Sequence, residues 1–161
     1  MKYKKIKESE IETFIKEYKD FLISENIFNN YEEIEEFFTM GGCYIFARIL
    51  QKQFNFPIAI NNKKNHCGMY IRKSIFEKYF FDITGYKTNS TYGFNVANRK
   101  DIKHIKECFG FQKLSKEGEL SFINETYENF KKNKHCNKNN IKEINNVYLF
   151  SKNKKLDTTY A

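Results

Sequence analysis

The sequence predicts a single α+β domain spanning residues 1–161, in which N-terminal helices, the last of them starting at a cysteine, pack on a small antiparallel sheet. Three observations predict it. Apolar residues recur at helical spacing from Ile11 to Phe54, and three short apolar runs follow between Pro57 and Ile83. A glycine pair, Gly41 and Gly42, separates the second helical pattern from the third. At 161 residues the chain has the size of one domain and can bury a core without disulfides. Its 40% hydrophobic content, with 17 Phe and 11 Tyr but no Trp, excludes a disordered chain and predicts a core filled by Phe, Tyr and Ile.

Ser9 followed by Glu12 has the form of a capping box, and Ile11, Phe14, Ile15, Tyr18 and Leu22 then predict a helix from about Ser9 to Ser24. Tyr31, Ile34, Phe37 and Phe38 predict a second, shorter helix that the glycine pair breaks. Counting from Cys43, the residues Phe46, Ala47, Leu50 and Phe54 fall three, four, seven and eleven positions on, so a third helix starts at or beside the cysteine. Pro57, the one proline, lies beyond its end as a stop. Strands are predicted at Pro57 to Ile60, His66 to Ile71 and Tyr79 to Ile83, then an exposed loop from Tyr86 to Asn98. A short helix from Asp101 to Phe109, closed by Gly110, precedes a longer one marked by Leu120, Ile123, Tyr127 and Phe130. Residues 131–140 read as loop and 151–161 as a frayed tail. Between them, Ile141, Ile144 and Tyr148 suit a helix while Val147 to Phe150 suits a strand.

The stretch Gly41 to Gly85 carries Cys43, His66 and Asp82 in that order, the nucleophile, base and orienting group that thiol catalysis needs. A helix N-terminus has unpaired amide donors and a partial positive charge, which favours a thiolate at Cys43 and makes its backbone N–H a candidate oxyanion donor. The absence of a side chain at Gly42 lets a substrate come close to Cys43. Tyr44 and Tyr70 are further candidate pocket residues. If the strands of His66 and Asp82 form a hairpin centred near Ser74, His66 lies opposite Asp82 and Gly68 opposite Phe80. A carboxylate could then fix the imidazole tautomer.

These motifs, G-G-C opening a helix with Ala47 four positions on, the H-x-G-x-Y-I strand at His66, and an aromatic-aromatic-Asp-x-x-Gly strand at Asp82, resemble the core of the papain-like cysteine enzymes, particularly their transglutaminase-like branch. The HCGMYI strand also resembles the histidine strand of bacterial cell-wall peptidases of that fold. The resemblance covers a little over a quarter of the chain. It implies a Cys nucleophile at a helix N-terminus packed on an antiparallel sheet, His and Asp on adjacent strands, and no metal or organic cofactor. The implied activity is that of a cysteine hydrolase or acyl/amide transferase (peptidase, deamidase or transglutaminase-like) acting through a thioester. Tyr44 stands where transglutaminases commonly carry Trp.

The alternative reading is a basic, non-catalytic protein that engages nucleic acid or an acidic partner through its net charge of +8. The lysines are spread along the whole chain and the aromatics follow core periodicities, so nucleic acid is the weaker partner expectation. A protein, peptide or small amide substrate, which the net charge would favour as an anion, is the stronger one. His66–Cys67, His104–Cys108 and His135–Cys136 lack the tight cysteine pairs of zinc sites. Cys67 alternates to the strand face opposite His66 and is expected in the core. No apolar run approaches membrane-spanning length, Met1 to Glu12 carry no signal-peptide core, and four unpatterned cysteines suit reduced thiols, so the expected compartment is the cytoplasm.

Overall fold

The structure, a computed structural model, describes residues 6–61, 66–88, 93–108 and 116–135, which form an α+β fold. Its helices are α1 (Glu8–Ser24), α2 (Tyr31–Met40), α3 (Cys43–Phe54), α4 (Arg99–Cys108) and α5 (Lys116–Ile123). Helix α5 runs on through one π-helical turn, Asn124–Glu128, and as helix again to residue 135. The strands β1 (Ile58–Asn61), β2 (His66–Arg72), β3 (Lys78–Asp82), β4 (Gly85–Thr88) and β5 (Asn95–Val96) form one antiparallel sheet in the order β4-β3-β2-β1-β5.

The main core lies between the helices and one face of the sheet. Ile11, Phe14, Tyr18 and Leu22 of α1 meet Phe46, Ile49 and Leu50 of α3, with Met69, Ile71 and Phe81 closing the cluster from the strands. A fully buried Leu, Ile or Phe is worth about 1.5–3 kcal/mol, so this aromatic-rich layer holds the helices on the sheet. Tyr18 donates to Thr126 Oγ1 at 2.7 Å, which gives its buried hydroxyl a partner on the far helix. A smaller cluster on the other sheet face contains Ala59, Phe80 and Phe94.

The structure corrects several sequence expectations. Helix α1 begins at Glu8 with Lys7 at its N-cap and no side-chain cap, so Ser9 and Glu12 do not form a capping box. The residues expected as an exposed loop from Tyr86 to Asn98 supply β4 and β5, whose pairing to β3 and β1 leaves no sequence-local trace. Residues 131–135 are helix, because the apolar stripe of α5 ends at Phe130 while its backbone bonds run one turn further. The expectations for 136–140, Ile141 to Phe150 and the tail lie outside the described residues.

The β2–β3 hairpin differs in register. Met69 pairs with Phe81 and Tyr70 with Phe80, two residues from the expected alignment. The cause is the turn: Arg72 pairs with Lys78, and Ser74 Oγ accepts from the backbone N–H groups of Phe76 (3.2 Å) and Glu77 (2.9 Å), which holds a five-residue loop. A two-residue shift keeps every side chain on its expected face. His66 and Asp82 therefore still share a face, but diagonally.

Candidate active site

Cys43 is the first residue of α3, with Gly42 as its N-cap, and helix α3 packs chiefly on β2. His66 is the first residue of β2 and Asp82 the last of β3, so three element termini converge at one end of the sheet. His66 Nε2 lies 2.9 Å from Asp82 Oδ2, and both side chains are buried. His66 and Cys43 lie near enough for each to shift the other's pKa. The structure thus brings the three sequence-predicted groups together.

Asp82 is held on both oxygens. Its Oδ1 accepts from the Thr84 backbone N–H (2.8 Å) and the Thr84 hydroxyl (2.7 Å), while Lys87 Nζ donates to Oδ1 at 3.2 Å and Oδ2 at 3.1 Å. Burial alone would raise its pKa, but the bonds from His66 and Thr84 and the charge of Lys87 outweigh burial and lower it to about 2. Burial likewise pulls His66 down, and its bonds to Asp82 and Cys43, together with their charges, raise it to about 9. The carboxylate is ionised throughout the neutral range and favours an imidazolium beside it.

Cys67 enters the site from the helix-side face of β2. Its Sγ donates to Cys43 Sγ at 3.4 Å. This bond is the largest cause of the lowered Cys43 pKa; burial opposes it, and the bond and charge of His66 add to it, giving about 6. Cys67 itself is pushed well above the ordinary thiol range, first by burial and then by the neighbouring sulfur. Between about pH 6 and 9 the favoured state is therefore a Cys43 thiolate beside a His66 imidazolium, with Cys67 protonated. The sequence expectation that Cys67 packs in the core describes its burial but misses this bond, since strand alternation cannot report what a helix terminus places against that face.

Three more residues of the site escaped the sequence reading. Asn61, buried on β1, is the direct cross-strand partner of His66. Thr84 and Lys87 fix Asp82 from the tight connection to β4 and from β4 itself. The Asp-x-Thr spacing at 82–84 is a signal that could have pointed to Thr84, because an Asp side chain bonds the backbone two residues on in Asx turns. Lys87 has no such local signature.

A groove of about 460 Å³ opens at the start of α3, lined by both chain neighbours of Cys43, Gly42 and Tyr44, but not by Cys43 itself. Cys43 itself is 1% exposed, in a cluster with Tyr44, Ala47, Cys67 and Ile105. Tyr44 and Ile105 also line the groove, so they form the boundary between groove and thiol. Tyr70 is not brought to this groove. It sits on the other face of the sheet, edge-on to Phe94 at 5.9 Å. Among the described residues no group of three or more His, Cys, Asp or Glu side chains could hold a metal ion, and no helix is long and apolar enough to cross a membrane. Comparison with protein-family models, curated proteins and solved structures finds no match for the chain.

Proposed function

We propose that the chain is a thiol enzyme, a cysteine hydrolase or acyl/amide transferase with a Cys43–His66–Asp82 triad, of the papain-like kind and its transglutaminase-like branch. One observation carries the reading: a cysteine at a helix N-terminus lies in one site with a histidine whose Nε2 is held at 2.9 Å by a buried carboxylate, near enough that the histidine lowers the thiol pKa and the thiol raises that of the histidine. That constellation has the roles of an activated nucleophile, a base and an orienter.

In this mechanism the Cys43 thiolate attacks the carbonyl carbon of an amide or ester, and the developing oxyanion faces the N–H of Cys43 at the first helical position. The His66 imidazolium gives its proton to the leaving amine or alcohol, the C–N or C–O bond breaks, and a thioester remains. The neutral imidazole then takes a proton from water or an acceptor amine as that nucleophile attacks the thioester, and Cys43 leaves as thiolate. Asp82 stays ionised and keeps the His66 proton on Nε2, so that Nδ1 is the nitrogen that serves Cys43.

The test is alkylation of each cysteine by iodoacetamide across about pH 5 to 9, read by mass spectrometry in wild type and His66→Ala. The expected result is a Cys43 rate that levels off above about pH 6 and loses that advantage without His66. A Cys43 that is inert in the folded protein, or that titrates like a free thiol near about 8.5, overturns the reading and leaves the basic surface as the leading clue.

A further inference from the structure

The triad uses one sulfur, and the structure sets a second beside it. Cys67 Sγ stands 3.4 Å from Cys43 Sγ, and both residues are buried. Attack on a carbonyl and the proton transfers around it are carried by Cys43, His66 and Asp82, and none of those steps needs a second thiol. The two sulfurs come from packed elements. Cys43 opens α3, and Cys67 lies on β2, the middle strand of the sheet, against which α3 packs. A disulfide holds its sulfurs about 2.05 Å apart, so a further approach of about 1.4 Å joins them.

The pair is chemically unequal. Cys43, at a helix N-terminus near His66, is drawn towards the thiolate, while Cys67, clustered with Ala47, Ile58, Ile60 and Ile105, stays protonated. A thiolate attacks a peroxide, and its neighbours decide what becomes of the sulfenic acid that forms. Without a thiol in reach it goes on to sulfinic and sulfonic acids. With one in contact it condenses to a disulfide. The surroundings also choose the oxidant. Both sulfurs lie behind Tyr44 and Ile105, so a small peroxide reaches Cys43 more easily than a bulky disulfide, which must lay its own sulfur in line with the thiolate.

We propose that Cys43 and Cys67 form a peroxide-oxidation site, in which Cys43 is oxidised, Cys67 resolves it, and the resulting disulfide keeps the nucleophile in a reversible, inactive form. The Cys43 thiolate attacks one oxygen of hydrogen peroxide. The S–O bond forms, the O–O bond breaks, and the departing hydroxide takes the His66 imidazolium proton and leaves as water. The Cys67 sulfur then attacks the sulfenic sulfur of Cys43. The S–S bond forms, the S–O bond breaks, and the hydroxide takes the Cys67 proton as a second water. The two thiols are oxidised and one peroxide is reduced to two waters. A dithiol reductant reverses the change through a mixed disulfide and ends as a cyclic disulfide. That the disulfide switches off an enzyme rests on the proposed thiol chemistry, whereas its formation rests on the sulfur pair.

The test treats full-length wild type and Cys67→Ser with hydrogen peroxide, caps the remaining thiols with N-ethylmaleimide in denaturant, and maps tryptic peptides by mass spectrometry. Cys67→Ser keeps a hydroxyl donor for Cys43 but has no sulfur to resolve it. Trypsin places Cys43 and Cys67 on separate peptides, residues 20–48 and 65–72, so the link is read directly. Wild type is expected to give the linked pair, and dithiothreitol to restore its iodoacetamide labelling at Cys43. Cys67→Ser is expected to carry sulfinic and sulfonic acid at Cys43 and to regain about tenfold less labelling. Oxidised glutathione at equal concentration should form the link about tenfold more slowly. A Cys43 joined to Cys108 or Cys136, sulfinic acid at Cys43 in wild type without the link, or a Cys67→Ser that dithiothreitol restores as fully as wild type overturns the proposal. A faster reaction with oxidised glutathione overturns the choice of oxidant. The wild-type map decides even where the variant does not fold. A Cys43 with the expected alkylation profile that peroxide never links to Cys67 overturns the oxidation site and leaves the enzyme reading intact. A linked pair whose Cys43 titrates like a free thiol does the reverse.

Discussion

Asp82→Asn tests the site most sharply, because it changes one atom of a carboxylate whose two oxygens both have partners. Oδ1 accepts from the Thr84 N–H and hydroxyl, and Oδ2 from His66. An asparagine keeps one acceptor oxygen, and the Thr84 donors claim it. The amide NH₂ then faces His66 Nε2 and donates to it, which drives the ring proton to Nδ1, the nitrogen that must be free to take a proton. Turnover should fall by roughly 10⁴-fold, the scale that a wrong imidazole tautomer costs a serine-protease triad.

Stability should fall as well. Lowering the Asp82 pKa from 3.8 to about 2 corresponds to about 2 kcal/mol at pH 7 for this buried group. The sign is that of a depressed acid: the contribution is present above the unfolded value and lost as pH falls through the folded one. At pH 3 about 1 kcal/mol of it should remain. Urea denaturation of wild type and Asp82→Asn at pH 7 and pH 3 measures the gap, and the His66 imidazole shifts report the ring. An equal gap at both pH values, or a His66 pKa unmoved from about 9 in the variant, would refute the coupling of Asp82 to His66.

Cys67→Ala removes the largest single cause of the low Cys43 pKa, so the alkylation midpoint of Cys43 should rise above about 6; a midpoint that Cys67→Ala leaves in place contradicts the bond at 3.4 Å. His66→Ala and Cys43→Ala each remove one partner of the pair, so the group that remains should move towards its ordinary value: Cys43 rises from about 6 when it loses the charge of His66, and His66 falls from about 9 when it loses that of Cys43. An NMR titration of His66 that still gives about 9 in Cys43→Ala would contradict the ion pair. Gly68→Ala should cost about 2–3 kcal/mol in urea denaturation, because its Cβ would stand 2.3 Å from the backbone oxygen of Phe81 and 2.7 Å from Phe80 Cζ. Gly42→Ala should cost less, since it meets the part-exposed Phe37 ring, which can swing away; equal costs would contradict the close β2–β3 approach.

The sequence by itself determined what short-range periodicity and backbone chemistry control. Apolar spacing and the glycine pair placed the start of α3 at Cys43, and alternation placed Cys67 on the face of its strand opposite His66. Each of these signals lies within one element, where 3.6-residue and two-residue repeats are expressed in neighbouring residues. The tertiary structure alone decided the rest. Ser74 accepting two backbone bonds set a hairpin two residues away from the simplest alignment, so His66 reaches Asp82 across a diagonal. The meeting of Cys67 with Cys43 depends on how α3 lies on β2, and the hold of Lys87 on Asp82 depends on β4, whose sequence carries too little apolar pattern to mark a strand. The groove needs α2, α3 and α4 at once. Contacts between elements follow from packing geometry, which no local repeat along the chain encodes.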